Sequence, residues 1–191
     1  MPDYEYVPFS SVSEDCALNS MSCIAPTKAF NMAGLQTAAV VIPDEAIREK
    51  MNRGLNSDEI AEPGSFAVDS VIAAFSYGEE WLEKLKRYIN DNKQLVEEYI
   101  KKEIPNLKVV KANATYLLWI DCSKVISYTG ELCRYIRENT GLYITEGEQY
   151  RGNGQQFLRI NIACPREVLE DGLQRLKKGV SEYEKLLIDQ C

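Results

Sequence analysis

The sequence predicts an α/β fold in its first part, followed by a separate α+β unit toward the C-terminus. Three observations support this prediction. Two short apolar runs, residues 21–25 and 37–42, flank a turn that contains Lys28. An amphipathic pattern of helical period then extends without a break over residues 79–103. Beyond that helix, four apolar strand-like segments are interspersed with two helical ones, which is typical of an antiparallel sheet covered by helices.

The first 78 residues combine two strands with two helices. Residues 1–19 are polar and contain two prolines, so they predict an extended loop or a short helix. The two apolar runs around the lysine turn predict buried strands. Asp44 is expected to cap a helix that extends to about Arg53 and ends at Gly54. Residues 65–77 predict a buried helix, because apolar side chains occupy most of their positions.

The sequence beyond residue 78 predicts a long helix followed by a small domain. We expect a connecting helix within residues 79–106 and a C-terminal α+β domain over residues 107–191, which leaves residues 1–78 as part of a larger domain. Pro165 suits the first turn of the last helix. The predicted strands are residues 107–111, 115–121, 142–145 and 157–163, and the predicted helices are residues 128–139 and 165–187.

Composition narrows the class of protein. Among the 191 residues, 45% are hydrophobic and 27% are charged, as in an ordinary globular protein. No apolar run is long enough for a membrane span, and no signal peptide is evident at the N-terminus. The net charge of −7 argues against nucleic acid or an acidic membrane as partner. We therefore expect no nucleic-acid or membrane partner, and the scattered cysteines favour a cytoplasmic protein.

The cysteines and the absence of histidine limit the kinds of metal and catalytic site that the chain can contain. The six cysteines form no CxxC pair and the chain has no histidine, so no metal site is predicted. The absence of histidine also excludes Ser-His and Cys-His nucleophile pairs. Scattered cysteines in apolar segments are typical of reduced, structural thiols.

Lys28 is the candidate nucleophile, because small and apolar residues surround it on the turn between the two predicted strands. A lysine kept out of bulk water has a lowered pKa, and its neutral amine can attack a carbonyl. The alternative is a surface lysine whose ammonium group reaches water, and local composition alone favours that alternative.

Three segments together resemble a known family. The run APTKAFNMAGLQ, residues 25–36, resembles the cofactor-lysine segment of fold-type I pyridoxal-phosphate enzymes. Residues 113–121 (NATYLLWID) resemble a strand of the small domain of those enzymes. Residues 157–166 (FLRINIACPR) resemble the C-terminal segment whose arginine holds the substrate α-carboxylate. The resemblance covers essentially the whole chain and is strongest to the cystathionine β-lyase-like C–S lyases of the class I/II aminotransferases.

The resemblance implies a fold, a cofactor and roles for three residues. The fold would be the C-terminal part of the large domain of a pyridoxal-phosphate-dependent transferase, joined to its α+β small domain. Lys28 would bind pyridoxal 5'-phosphate covalently and move a proton at the substrate Cα. Thr27 would contact the cofactor phosphate, although an ordinary turn hydroxyl is an equally good interpretation. The resemblance also implies a homodimer.

Arg159 is the candidate substrate-binding residue. Strand alternation places Phe157, Arg159 and Asn161 on one face, and an arginine in so apolar a strand needs a partner. Its planar guanidinium can bind a carboxylate through two hydrogen bonds. An internal salt bridge to an acidic residue is the alternative. In the glycine-containing loop before this strand, Arg151 replaces a glycine that is usual in the family.

The predicted activity is C–S β-lyase chemistry, which converts cystathionine- or cysteine-like amino acids into pyruvate, ammonia and a thiol. Gln36 stands where many fold-type I enzymes carry a phosphate-binding arginine, which favours this branch over ordinary aminotransferases. The segments that bind the cofactor ring and most of the phosphate in the family have no counterpart here, so we expect little activity. The alternatives are an aminotransferase, a non-catalytic fragment, or an α+β binding module centred on residues 107–191.

Overall fold

A computed structural model of the protein describes residues 4–60 and 62–189. The chain divides into two compact units. The first is Glu5–Leu85, and the second contains the chain from Lys86 onward together with Tyr4. The division predicted after residues 78 and 106 stays a prediction.

The first unit contains a two-stranded antiparallel ribbon and short helices. Strand β1 (Ser22–Ile24) pairs with strand β2 (Ala39–Val41), and Ser22 lies opposite Val41. The long helix α4 (Glu79–Glu103) begins in this unit and continues into the second. The unit also contains helices α1 (Glu14–Leu18), α2 (Glu45–Ser57) and α3 (Ala67–Tyr77).

The apolar elements of this unit are not buried, contrary to the prediction. The side chains of Ile24 and Val41 are 42% and 48% exposed. In α3 only Ala67 is buried, whereas Phe75 is 51% exposed. Apolar composition predicts burial, but burial needs a second layer over the element. Within the described part of the unit, no such layer covers these faces.

Helix α2 confirms one predicted boundary and corrects the other. The Asp44 carboxylate accepts a hydrogen bond of 2.8 Å from the Ile47 amide, as a helix cap should. The helix does not stop at Gly54 but continues to Ser57. An interior glycine costs only about 1 kcal/mol relative to alanine, so a helix can pass through it. The Ser57 hydroxyl also donates to the Arg53 carbonyl at 2.8 Å in the last turn.

The second unit is an antiparallel sheet with helices packed on it. The strands are β3 (Lys108–Val109), β4 (Leu117–Asp121), β5 (Thr145–Glu146) and β6 (Phe157–Asn161). Their order in the sheet is β3-β4-β6-β5, and Trp119 of β4 lies opposite Arg159 of β6. Leu118, Ile120 and Leu158 point into a core that the helices complete. No helix in residues 4–60 and 62–189 has the length and apolarity that a membrane span requires. The unit also contains helices α5 (Thr129–Thr140) and α6 (Arg166–Asp189).

A buried amide connects α4 to the end of β6. Asn92 is fully buried, and its Nδ2 donates to the carbonyl oxygens of Ile162 at 2.9 Å and Cys164 at 3.1 Å. Four residues earlier on α4, the Tyr88 hydroxyl accepts a hydrogen bond of 2.7 Å from the Arg166 amide at the start of α6. Polar contacts of α4 thus fix the chain where it leaves the arginine strand.

Candidate functional site

Lys28 lies in a tight turn that follows β1. The Phe30 amide donates to the Pro26 carbonyl at 2.9 Å, and the Met32 amide donates to the Thr27 carbonyl at 3.0 Å. The Lys28 side chain is exposed, so the expectation that it is kept from water is wrong in this unit. The reason is the same as for the strands, since no described layer covers the turn. The amine has no ion-pair partner among the described residues and is accessible to a small aldehyde.

Phe30 anchors the lysine turn two residues beyond Lys28. Its ring stacks on Trp81 at a centroid distance of 5.7 Å and meets the Phe75 ring edge-on at 6.1 Å. The packing depends on Gly78, because a Cβ at this position would collide with the Phe30 ring and with the Ala74 carbonyl. A turn anchored in this way presents Lys28 from a defined position although the side chain itself is exposed.

Lys28 and Thr27 are the residues in this turn that could hold pyridoxal phosphate. The Lys28 amine fits the cofactor aldehyde, because it is primary, accessible and on an anchored turn. The Thr27 side chain is half-buried beside it. Its role as a phosphate ligand or as a turn hydroxyl stays a prediction.

Arg159 lies in β6, an inner strand of the sheet of the second unit, and alternation places it on the face opposite the buried Leu158. It lies in register between Trp119 of β4 and Thr145 of β5 and lines a cavity of about 480 Å³ that Asn161 also borders. The guanidinium carbon lies 4.6 Å from the centroid of the Tyr150 ring, over its face. Among the described residues, no carboxylate lies within ion-pair distance of Arg159. The internal salt bridge considered as an alternative is therefore not observed in the described part of the chain.

The loop before the arginine strand is compact and strained. Its two 3₁₀ turns, Gly147–Tyr150 and Gly154–Gln156, pack backbone against backbone, and a Cβ on Gly147 would collide with the Gly154 carbonyl. Arg151 has φ 62° and ψ −166°, a conformation that is essentially restricted to glycine. The backbone thus keeps the glycine conformation although arginine occupies the position.

A larger cavity of about 670 Å³ lies elsewhere in this unit, beside α4 and β3, and none of the site residues predicted from the sequence lines it.

Two cysteines of the second unit, Cys122 and Cys133, have thiols that are not reactive nucleophiles at neutral pH. Cys122 is fully buried, and burial raises the pKa of its thiol far above the ordinary value. Burial, and to a smaller extent the nearby Glu146 carboxylate, raises the pKa of Cys133 to about 12. Both thiols stay protonated at neutral pH, where only thiolates are reactive. Cys191 lies outside the described residues.

The fold has counterparts in known proteins. The sequence profile described as "Aminotransferase class I and II" matches residues 10–176, which is most of the chain. The chain belongs to the aminotransferase class I and II family. The family is pyridoxal-phosphate-dependent, so the cofactor implied by the sequence is confirmed at the level of the family, as is the fold class.

Three relatives illustrate the similarity. Cystathionine beta-lyase PatB of Bacillus subtilis is 36% identical over 93% of this chain and 46% of its own length. The structure of cystalysin from Treponema denticola, which contains pyridoxal 5'-phosphate, has a TM-score of 0.89 and 25% identity over 95% of this chain and 46% of that one. The pyridoxal-phosphate-bound C–S lyase of Staphylococcus hominis has a TM-score of 0.78 and 28% identity over 93% of this chain and 45% of that one. The chain thus spans about half the length of the relatives it matches.

The structure places Lys28 and Thr27 in the first unit and Arg159 in the second.

Two features of the second unit were not predicted from the sequence. The stacking of Tyr150 on Arg159 joins residues nine positions apart, and no periodicity relates them. The buried Asn92 interrupts the apolar stripe of α4, and such a polar interruption is the one sequence signal that could have indicated it.

Proposed function

We propose that the chain is the C-terminal half of a pyridoxal-phosphate-dependent C–S β-lyase. Its substrates would be cystathionine- or cysteine-like amino acids, and its products pyruvate, ammonia and a thiol. The observation that carries the proposal is the accessible Lys28 amine on a turn that Phe30 anchors. The relatives named as cystathionine beta-lyase and C–S lyase support the reaction class.

Each candidate residue has a defined task in this chemistry. The Lys28 amine would hold the cofactor through its aldehyde and would take the proton from the substrate Cα, and the ammonium group so formed would donate a proton to the thiolate that leaves Cβ. The Arg159 guanidinium, which has no internal carboxylate partner in the described chain, binds the substrate α-carboxylate through its paired N–H groups. Bound pyridoxal phosphate supplies an electron sink that stabilises negative charge at Cα.

The expected turnover of this chain alone is low. The chain spans 46% of the length of cystathionine beta-lyase PatB. The resemblance implies that most of the cofactor contacts of the family belong to segments that this chain does not match. Catalysis depends on such preorganised contacts, so the few that this chain provides give a slow reaction. In the whole enzyme we expect a homodimer that acts in the cytoplasm.

An aminotransferase is the second candidate, because the family includes both activities and both use the same lysine. Gln36 favours the lyase, since it stands in place of a phosphate-binding arginine. Incubation of the purified chain with pyridoxal phosphate and L-cystathionine separates the two. Thiol and pyruvate release without an added keto acid indicates the lyase, whereas amino transfer that requires a keto acid indicates the aminotransferase.

The controls are Lys28→Ala and Lys50→Ala. Lys50 is an exposed lysine of α2 and has no role in the proposal. We expect a slow release of pyruvate that Lys28→Ala abolishes and Lys50→Ala leaves unchanged. A rate that persists in Lys28→Ala contradicts the proposal, and no turnover in any of the three proteins favours the non-catalytic fragment.

A further inference from the structure

Tyr150 holds the Arg159 side chain without using any of its hydrogen-bond donors. The guanidinium carbon lies over the face of the Tyr150 ring at 4.6 Å from the centroid. A carboxylate partner would occupy the N–H groups at the edge of the guanidinium plane, whereas an aromatic ring attracts the cation through its face. The N–H groups of the arginine therefore remain available to a ligand while the side chain is held in place.

Other aromatic residues fix the Tyr150 ring in turn. Trp119, which lies directly opposite Arg159 in the sheet, meets the Tyr150 ring at 5.3 Å in an edge-on arrangement. The Phe157 ring in turn packs edge-on against the Trp119 ring, at a centroid distance of 5.7 Å. Phe157 thus contacts Trp119, Trp119 contacts Tyr150, and Tyr150 contacts Arg159. All four residues lie in the second unit.

The backbone around Tyr150 is fixed as well. Tyr150 ends the 3₁₀ turn that begins at Gly147, and Gly147 is held between the Gly154 backbone and the Trp119 ring. A Cβ on Gly147 would lie 2.7 Å from the Trp119 ring carbon Cζ3, so the turn approaches the ring as closely as a glycine allows. The strained backbone of Arg151 follows directly and sets the direction in which the chain leaves the turn.

We propose that Tyr150 is a positioning residue that presents the Arg159 guanidinium to the carboxylate of the substrate. The inference rests on the proposed function, in which Arg159 binds that carboxylate. The aromatic ring is required and the hydroxyl is not, because the contact is made by the ring face. Loss of the ring releases the guanidinium into several rotamers, and the ligand must then restrict them at a cost in affinity. A cation–ring contact at a partly exposed site corresponds to a loss of about three- to fivefold in affinity.

The test is a titration of the ¹⁵N-labelled chain with sodium propionate, which is a carboxylate without an amine and cannot react with a cofactor. The Arg159 Nε–Hε signal is followed by NMR and is assigned by its loss in Arg159→Gln. The variants are Tyr150→Leu, Tyr150→Phe and Tyr128→Leu, the last of which removes another exposed tyrosine of the same unit.

In the wild type, we expect the ring current of Tyr150 to displace the chemical shift of the Arg159 Hε signal. Tyr150→Leu should lose this displacement, and Tyr150→Phe should retain it. The Kd for propionate should rise three- to fivefold in Tyr150→Leu and stay at the wild-type value in Tyr150→Phe and Tyr128→Leu. Unchanged affinity in Tyr150→Leu overturns the positioning role, while binding that still depends on Arg159 leaves the proposed function intact. Absence of propionate binding to the wild type overturns both the positioning role and the carboxylate role of Arg159.

Discussion

Replacement of Asn92 by alanine tests how α4 supports the arginine strand. The Asn92 amide donates to two carbonyl oxygens at the end of β6, and both contacts are lost in the variant. Each buried hydrogen bond contributes about 1 kcal/mol net, and buried carbonyls left without donors add a desolvation penalty. The higher helix propensity of alanine returns roughly 0.5 kcal/mol. We therefore expect the free energy of unfolding to fall by about 2 kcal/mol.

The assay is urea denaturation followed by circular dichroism, with Asn139→Ala as the matched control. Asn139 is an exposed asparagine whose amide bonds only to the carbonyl of Tyr135 in its own helix, so its replacement should change stability by less than about 0.5 kcal/mol. The difference between the two variants removes the helix-propensity contribution common to both. Asn92→Asp keeps the shape but turns the donor into an acceptor that faces two carbonyls, and it should destabilise more than alanine does. A difference below 0.5 kcal/mol between Asn92→Ala and Asn139→Ala would refute the reasoning.

Three further predictions concern the lysine turn, the strained loop and acid stability. Gly78→Ala should destabilise the first unit by about 1–3 kcal/mol in thermal unfolding, because the new methyl group displaces the Phe30 ring; an unchanged midpoint would show that Phe30 does not anchor the turn. Arg151→Gly should stabilise the protein by about 1 kcal/mol, since glycine adopts this backbone without strain, and Arg151→Ala should give no such gain. The Ser123 amide lowers the pKa of the Asp121 carboxyl below its unfolded value. The ionised form therefore stabilises the folded state above about pH 4, and this contribution disappears as pH falls through the folded-state pKa. Asp121→Asn should accordingly be less stable than the wild type at pH 7 and equally stable at acid pH, and a difference that does not vary with pH would contradict the assignment.

The sequence alone predicted those elements whose structure depends on a local pattern of residues. The helical period of residues 79–103 predicted α4 with its observed bounds, because one apolar stripe and a following Pro105 define it. The strand that contains Arg159 was predicted from the alternation of its side chains. Arg159 lies on the strand face that this alternation predicted, opposite the face of the buried Leu158. These features depend on residues close together in the chain.

The expectations that failed depend on what lies over an element. Lys28 was expected to be shielded from water, and α3 was expected to be buried, yet both are exposed in the first unit. Their sequences have the composition of interior segments, but the described residues of this unit do not include a layer that covers them. The contact between Tyr150 and Arg159 also escaped prediction, since it depends on the path of a loop with a non-glycine residue at positive φ.

The most direct test of the account is whether pyridoxal phosphate becomes attached at Lys28. The purified chain is incubated with the cofactor, reduced with borohydride and digested, and the labelled lysine is located by mass spectrometry beside Lys28→Ala and Lys50→Ala. Because pyridoxal phosphate reacts slowly with any exposed lysine, the measured quantity is the label at each site at low cofactor concentration. We predict preferential labelling of Lys28, with a visible absorbance band that Lys28→Ala lacks and Lys50→Ala retains. Equal labelling of Lys28 and Lys50, with the same absorbance in all three proteins, would contradict this prediction.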